Sequence, residues 1–274
     1  MEQVDVLVVG GGQSGLAAAY ALRQEGLEPV VLEASERAAG SWPRYYDSLT
    51  LFSPAAYSCL PAMPFGGDPD RYPHRDEVVA YLLRYADRLD ADVRTRVRVR
   101  AVRFEGGIFT LSLEGGGRLG ARAVVAASGT FGRPHHPGLP GLETCTGTVL
   151  HAADCRTPEP FAGQRVVVVG AGTSAVQIAA ELAERARVTL VARHPVRFAR
   201  QCTLGRDLDW WLTGTGLDVL PVGRFLCTPP ARPVIDGGAY RAAGAPRGPG
   251  GPRTPGFAAV GGPKEPRATG CSVV

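Results

Sequence analysis

Gly10, Gly12 and Gly15 stand in the run GGGQSG directly after the apolar stretch VDVLVV. Gly170, Gly172 and Ala175 repeat the pattern as GAGTSA after RVVVV. A strand that ends in such a turn and passes into a helix presents bare backbone N–H groups, which can bind a pyrophosphate without any side chain. The first glycine permits the tight turn, the second lets the backbone approach the phosphates, and the third lets helix pack on strand. One such turn is weak evidence. Two of them, each in strand–turn–helix context, predict two dinucleotide sites in one chain.

The residues that follow distinguish the two sites. Glu33 ends the strand EPVVLE, close to the spacing of about 20 residues at which an acid reaches a ribose diol. A carboxylate accepts from the 2′-hydroxyl, so the first site is expected to hold an unphosphorylated ribose such as that of FAD or NAD. The competing reading is a surface strand-end glutamate. At the matching place in the second site, VTLVAR closes on Arg193 and His194, with Arg197 and Arg200 beyond and no acid among them. An arginine cluster suits a 2′-phosphate, which points to NADPH. Here the alternative is a general arginine bias.

Elements that could position these residues are legible around them. The first strand spans residues 4–9 and its helix 14–25, ended by Gly26. A Pro-, Gly- and aromatic-rich stretch from Ala39 to Tyr72 is too long for an ordinary connector, so it is expected to be functional or disordered. Asp76 is expected to cap a helix whose buried stripe is Val78, Val79, Leu82, Leu83, Ala86 and Leu89. An alternating meander from about Val93 to Leu113 and the strand ARAVVAA complete a first domain, placed at residues 1–155. A second, residues 156–241, repeats strand, turn, helix and strand, and LDVLPV reads as one further strand. Residues 242–274 are Gly/Pro/Arg-rich without period 2 or 3.6, and are expected to be disordered and to pack on neither domain.

Composition excludes several classes. The net charge of +4 comes with Lys264 as the only lysine and no asparagine, which reads as GC-rich coding rather than a polyanion site. RTRVRVRAVR (Arg94–Arg103) alternates, setting Val97, Val99 and Ala101 on one face and the arginines in water. No nucleic-acid partner is expected. Six cysteines lie scattered without metal-ligand spacing or a close redox pair, so neither a metal site nor flavin-to-disulfide electron transfer is expected. Glu2 and Asp5 stand where a secretion signal would be basic, and no apolar run reaches the roughly 18 residues of a membrane span. A cytoplasmic location is the resulting expectation.

The chain resembles the flavin-containing monooxygenase-like group of NAD(P)/FAD oxidoreductases from about Val4 to Tyr240. The carriers are GGGQSG, Glu33, GSWPRYYDSLTLFSP…LPAMPF, RYPHRDEV, AASGTF, GTVLHAADCR and GAGTSAVQIAAEL. The resemblance implies an α/β fold of two Rossmann-like, doubly wound dinucleotide-binding domains, the second inserted into the first. It implies that Gly10, Gly12, Gln13, Ser14 and Glu33 hold FAD, with Ser41 and Trp42 along the flavin and Val97 near the adenine. Gly170, Gly172, Thr173, Ser174 and Arg193 would hold NADPH. GTVLHAADC occupies the place of the signature FxGxxxHxxx(Y/W): Gly147 and His151 match it, while Cys145 and Cys155 replace the aromatics. The animal-type active-site asparagine has no counterpart here. The implied activity is insertion of one oxygen atom from O2 into a small organic substrate through a C4a-(hydro)peroxyflavin. The alternatives are an uncoupled NADPH:flavin oxidase and a truncated, non-catalytic nucleotide-binding remnant. The Gly/Pro/Arg-rich tail stands where the group returns to close over the flavin, as a frame shift or truncation near Arg241–Gly250 would leave it.

Overall fold

In the run QVDVLVV, Gln3 and Asp5 are exposed, but Val6, Leu7 and Val8 are all buried, as in a strand covered on both sides at its carboxyl end. It forms β1 (Glu2–Val9), followed by α1 (Gln13–Gln24), β2 (Pro29–Leu32), α2 (Arg75–Arg88), β3 (Asp92–Arg94), β4 (Val99–Glu105), β5 (Ile108–Leu113) and β6 (Arg118–Ala126). These make a six-stranded sheet of order β3-β2-β1-β6-β5-β4. β1 pairs in parallel with β2 and β6, and β4–β5–β6 form an antiparallel meander. The computed structural model describes residues 1–136, 138–139, 141–220, 234–236, 258–261 and 271–274. Two compact units are present, Met1–Tyr45 with Ser53–Pro134, and Tyr46–Phe52 with His135–Val274.

Local chemistry sets the ends of these elements. Gly26, at φ +75°, ends α1 in a Schellman turn: Gly26 N–H donates to Arg23 O at 3.0 Å and Leu27 N–H to Leu22 O at 3.0 Å. The cap of α2 is His74 rather than the expected Asp76. Its Nδ1 accepts from Asp76 N–H at 3.3 Å, while Glu77 accepts from His74 N–H at 2.9 Å. An imidazole nitrogen thus takes the place of the usual hydroxyl or carboxylate in a reciprocal capping box. The buried stripe of α2 is also turned from the expected one. Tyr81 and Tyr85 are buried with Val78, Leu82 and Leu89, whereas Val79, Leu83 and Ala86 are half-buried. A tyrosine's apolar ring can be buried where its hydroxyl finds a partner. Tyr81 donates to Met63 O and accepts from Leu60 N–H, each at 2.7 Å, and Tyr85 donates to Pro61 O at 3.1 Å.

The arginine-rich alternation holds only as far as Val99. Val97 and Val99 pack on the core with Leu7, Leu32 and Leu111, while Arg98 and Arg100 pair with Glu114 at the surface. A register shift between Val99 and Ala101 then reverses the faces and leaves Ala101 exposed.

The second unit is built on β7 (Arg165–Val169), α3 (Thr173–Leu182) and β8 (Arg187–Ala192). Three short strands follow, β9 (Phe198–Arg200), β10 (Cys202–Thr203) and β11 (Arg206–Asp207), then α4 (Leu208–Thr215) and β12 (Val234–Asp236), β13 (Ala258–Gly261) and β14 (Cys271–Val273). The main sheet is all parallel, in the order β13-β8-β7-β14, and β12 pairs with β9. Val176, Ile178, Ala179 and Leu182 of α3 pack on Val166, Val168, Val188 and Leu190. The strand expected at LDVLPV is absent over its described part: Leu217–Leu220 form a turn beyond α4, and Pro221 and Val222 lie outside the described residues. Asp207 caps α4 by accepting from Asp209 N–H at 2.8 Å, a helix start that the apolar pattern had not marked.

The chain beyond Ala242 departs from the sequence reading at two places. β13 and β14 enter the sheet, Val274 is buried, and Val169 N–H donates to Val274 O at 2.9 Å. Ser272 is buried too, its hydroxyl donating to Gln164 Oε1 at 3.0 Å. Strands of four and three residues are too short for a period to show amid Gly and Pro, and partners distant in sequence supply the ladder. The rest of the 242–274 stretch lies outside the described residues. Deleting Cys271–Val274 is expected to lower the thermal midpoint seen by circular dichroism, since one buried valine alone contributes about 1.5–3 kcal/mol. An unchanged midpoint would show that the strand adds nothing to the sheet.

Candidate functional site

Of the fingerprint glycines Gly10, Gly12 and Gly15, the first and third are demanded by the fold. Gly10 has φ +111°, and a Cβ there would stand 2.2 Å from Ala127 O. A Cβ on Gly15 would stand 1.8 Å from Gly10 O, so α1 can lie on β1 only without it. Gly12 differs, with an ordinary φ of −81° and a Cβ site whose nearest neighbour is Gly40 Cα at 3.5 Å. Gly12 is the N-cap of α1 and no side chain caps the helix. The N–H groups of the first turn, carried by Gln13 and its neighbours, therefore lack helical partners.

These groups open into a cleft of about 520 Å³ at the carboxyl ends of β1 and β6. The chain leaves β1 toward β2 on one side while β6 flanks it on the other, the place where open α/β sheets bind ligands. Gly10, Gly12, Gln13, Ser14, Glu33, Ser41, Trp42 and Val97 all line it, so the candidates for the first site are brought together. Gly15 lies beneath, at the helix–strand contact.

Glu33 is 5% exposed and its carboxylate is fixed by backbone donors. Oε2 accepts from Gly11 N–H at 2.6 Å and Oε1 from Ser35 N–H at 2.7 Å. Each oxygen keeps a further lone pair, so the acid can still accept from a hydroxyl in the cleft. Gly11 had no role in the sequence reading, yet a Cβ there would stand 2.9 Å from Glu33 Cβ. Val97 lies across from the acid and donates its N–H to Glu33 O at 2.9 Å. At the opposite end, Trp42 Nε1 donates to Gln13 Oε1 at 3.2 Å. Tyr45 meets Trp42 edge-on at 5.1 Å and Phe131 at 4.3 Å. Arg44, Tyr45, Ser128, Gly129 and Thr130, which GSWPRYY and AASGTF carry into the resemblance without any assigned role, line the same cleft. Tyr45 lies three residues past Trp42, a spacing that could have marked it.

The second turn is looser. Gly170, at φ +148°, would place a Cβ 3.2 Å from that of Ala175, a tight contact but far from the 2.2 Å overlap at Gly10, and an alanine occupies the third place. Gly172 caps α3 without a side-chain bond, Thr173 and Ser174 open the helix, and nothing lies within 4 Å of a Gly172 Cβ. Arg193 follows the end of β8 and is exposed, as are Arg197 and Arg200; among the described residues no carboxylate is paired with these three. Beside the turn lies an apolar cavity of about 240 Å³, bounded by Val169, Ala175, Ile178 and Val274. His136 and His151 also line it, their rings edge-on at 5.3 Å, and His151 Nδ1 accepts from Ala153 N–H at 3.0 Å.

Cys59, Cys145, Cys155 and Cys202 are free thiols. Burial pushes the Cys155 thiol up to about 11, with Glu181 adding to the shift, so it is not a thiolate near neutral pH. Among the described residues no helix is long and apolar enough to cross a membrane, and no group of His, Cys, Asp or Glu is arranged to hold a metal.

Residues 7–213 match the family described as pyridine nucleotide-disulphide oxidoreductase. An uncharacterized CzcO-like oxidoreductase of Geobacillus kaustophilus is 36% identical over 216 residues, 78% of this chain and 61% of that protein. The indole-3-pyruvate monooxygenase YUCCA1 of rice (Oryza sativa subsp. japonica) is 36% identical over 194 residues, 69% of this chain and 48% of its own. The chain thus spans about half to three-fifths of the length of these relatives. Among solved structures, a flavin-containing monooxygenase from Stenotrophomonas maltophilia superposes with a TM-score of 0.79 at 33% identity, covering 100% of this chain and 78% of the other.

The two turns should respond differently to exchange of their third residues. Gly15→Ala is expected to cost at least the roughly 1–3 kcal/mol of an overpacked core in urea unfolding. Ala175→Gly should cost only about 1 kcal/mol, the helix propensity difference. Equal costs would contradict the geometry.

Proposed function

Since this chain belongs to the pyridine nucleotide-disulphide oxidoreductase family, in its flavin-monooxygenase group, we propose that it is an FAD- and NADPH-dependent monooxygenase acting on a small organic substrate. The observation that carries the proposal is the first cleft, where an uncapped helix N-terminus, a buried strand-end acid and an aromatic wall line one space. In this reading the N–H groups beside Gly12, Gln13 and Ser14 hold the FAD pyrophosphate, where the helix dipole favours negative charge. Glu33 accepts from the ribose hydroxyls, Val97 borders the adenine, and Ser41 and Trp42 flank the flavin. When bound, the flavin supplies the redox chemistry, taking a hydride from NADPH and passing electrons to O2.

The chain's own work is placement and exclusion of water, so no acid–base pair is assigned. Trp42, Tyr45 and Phe131 shield one end of the cleft with apolar surface. In the second unit the turn Gly170–Ala175, with Gly172, Thr173 and Ser174 at the start of α3, takes the NADPH pyrophosphate, and Arg193 reads the 2′-phosphate. In chain order the reading takes the NADPH unit as an insertion in the flavin unit. Overall, one oxygen atom enters the substrate and the other leaves as water, with NADPH and a proton consumed.

Purified protein supplied with FAD is expected to bind it and show flavin absorption, and to oxidise NADPH in step with substrate. Substrate-independent oxidation yielding stoichiometric peroxide would instead identify an oxidase. Gly12→Asp sets a carboxylate at the pyrophosphate position where the fold has room for it, so flavin binding should vanish while the thermal midpoint holds. Retained flavin would sink the site assignment.

For the second coenzyme, NADPH should be preferred to NADH by roughly tenfold or more, the equivalent of a charge-assisted contact of about 1.5–3 kcal/mol. Arg193→Ala should erase that preference. Equal weakening toward both coenzymes would show that Arg193 does not read the phosphate.

A further inference from the structure

Arg75 is in two respects in the wrong place. It is 8% exposed and is the only buried lysine or arginine among the described residues, whereas such side chains are almost never buried without a partner. It is also the first residue of α2, the positive end of the helix dipole, where a cation is disfavoured. Neither position helps the helix by itself. Its guanidinium is turned to a different segment: Nη1 donates to Tyr45 O at 2.8 Å, while Nε and Nη2 meet Asp76 Oδ1 at 2.9 and 2.8 Å.

The carbonyl it holds belongs to the aromatic wall of the first cleft. Gly40, at φ +56°, lies so close to α1 that a Cβ there would stand 2.8 Å from Gly12 Cα. Trp42 is tied to Gln13, and the Tyr45 ring bridges Trp42 and Phe131. Trp42–Arg44 make a single 3-10 turn, too short to hold its own shape. Its leading end is fixed against α1 through Gly40 and Trp42, and its trailing end to α2 through Arg75.

We infer that Arg75 is a positioning residue of the cleft, a buried clamp that holds the Trp42–Tyr45 wall in place through the Tyr45 carbonyl. This rests on the flavin reading of the cleft. The clamp sets the wall's distance from the bound isoalloxazine without touching it. A guanidinium suits this task because its rigid planar fork can engage a carbonyl and a carboxylate together, which an ammonium does less well.

The test compares wild type with Arg75→Gln, Arg75→Lys and Asp76→Asn by hydrogen–deuterium exchange without FAD, then by FAD titration and flavin fluorescence. In Arg75→Gln, exchange over Ser41–Tyr45 should accelerate roughly tenfold or more while β1 and β6 keep their protection, the mark of local rather than global opening. The FAD Kd should rise by roughly tenfold, the scale of a lost hydrogen bond to a charged group. Quenching of flavin emission by the wall should diminish. Arg75→Lys should fall between, and Asp76→Asn, which keeps the Tyr45 bond, should match wild type. Unchanged Ser41–Tyr45 exchange in Arg75→Gln, equal acceleration in β1 and β6, or unchanged flavin affinity and emission with a loosened wall would each overturn the inference. If wild type binds no FAD, the flavin reading fails by itself, and the exchange comparison still decides whether Arg75 clamps the wall.

Discussion

The approach of α1 to β1 is the constraint on which the first unit depends. With 1.8 Å between a Gly15 Cβ position and Gly10 O, no side chain of any kind is tolerated at that contact. The close approach sets the helix start against the end of β1, and so fixes where the uncapped N–H groups point. The positive φ at Gly10 makes the turn that allows this, and packing against Ala127 fixes Gly10 in turn. Moving the helix outward by even one methyl group would widen the cleft and remove the contact between Gly12 and Gly40.

Charge is distributed in the same economical manner. Glu33 and Arg75 are the two buried acidic or basic side chains among the described residues, and each makes hydrogen bonds to backbone polar groups. Backbone partners cannot rotate away, so each charge keeps a fixed position; Arg75 in addition meets the Asp76 carboxylate, which stays exposed to water and so avoids the desolvation that a fully buried ion pair would cost. Glu33 stands at one end of the cleft, and Arg75 holds the carbonyl of Tyr45 at the aromatic end. Among the described residues the other arginines are exposed or half-buried, many paired with carboxylates at the surface, where such pairs add little to stability.

The second unit reaches a comparable turn with less crowding. Ala175 stands where the first turn has its third glycine, and a Cβ added to Gly170 would lie 3.2 Å from the Ala175 Cβ, against 2.2 Å from Ala127 O for one added to Gly10. Its sheet draws on β14, from the far end of the chain, to flank β7, so the unit's core closes only when distant segments meet. Long-range parallel pairing of this kind requires loop closure before any contact repays it.

Sequence by itself determined the two strand–turn–helix cores, the acid after β2 and the arginine after β8, because each depends on a local pattern: a glycine whose backbone must bend, an apolar run, a residue at a strand end. Those patterns marked Gly10, Gly12 and Glu33, and the family resemblance added Gln13, Ser14, Ser41, Trp42 and Val97; all eight line one cleft. Tertiary structure decided the rest. It chose His74 over Asp76 as the cap of α2, since the choice turns on which side chain reaches back to the helix. It buried Tyr81 and Tyr85 because distant carbonyls at Met63 and Pro61 satisfy their hydroxyls, and it reversed the faces of β4 at a bulge. It recruited Cys271–Val274 from a Gly/Pro-rich stretch with no period, and it spent a buried arginine on the carbonyl of Tyr45. Each of these depends on a partner tens of residues away or on one turn of side-chain geometry. Hydrophobic period and turn chemistry record neither, because they register only what a segment prefers before it meets its neighbours.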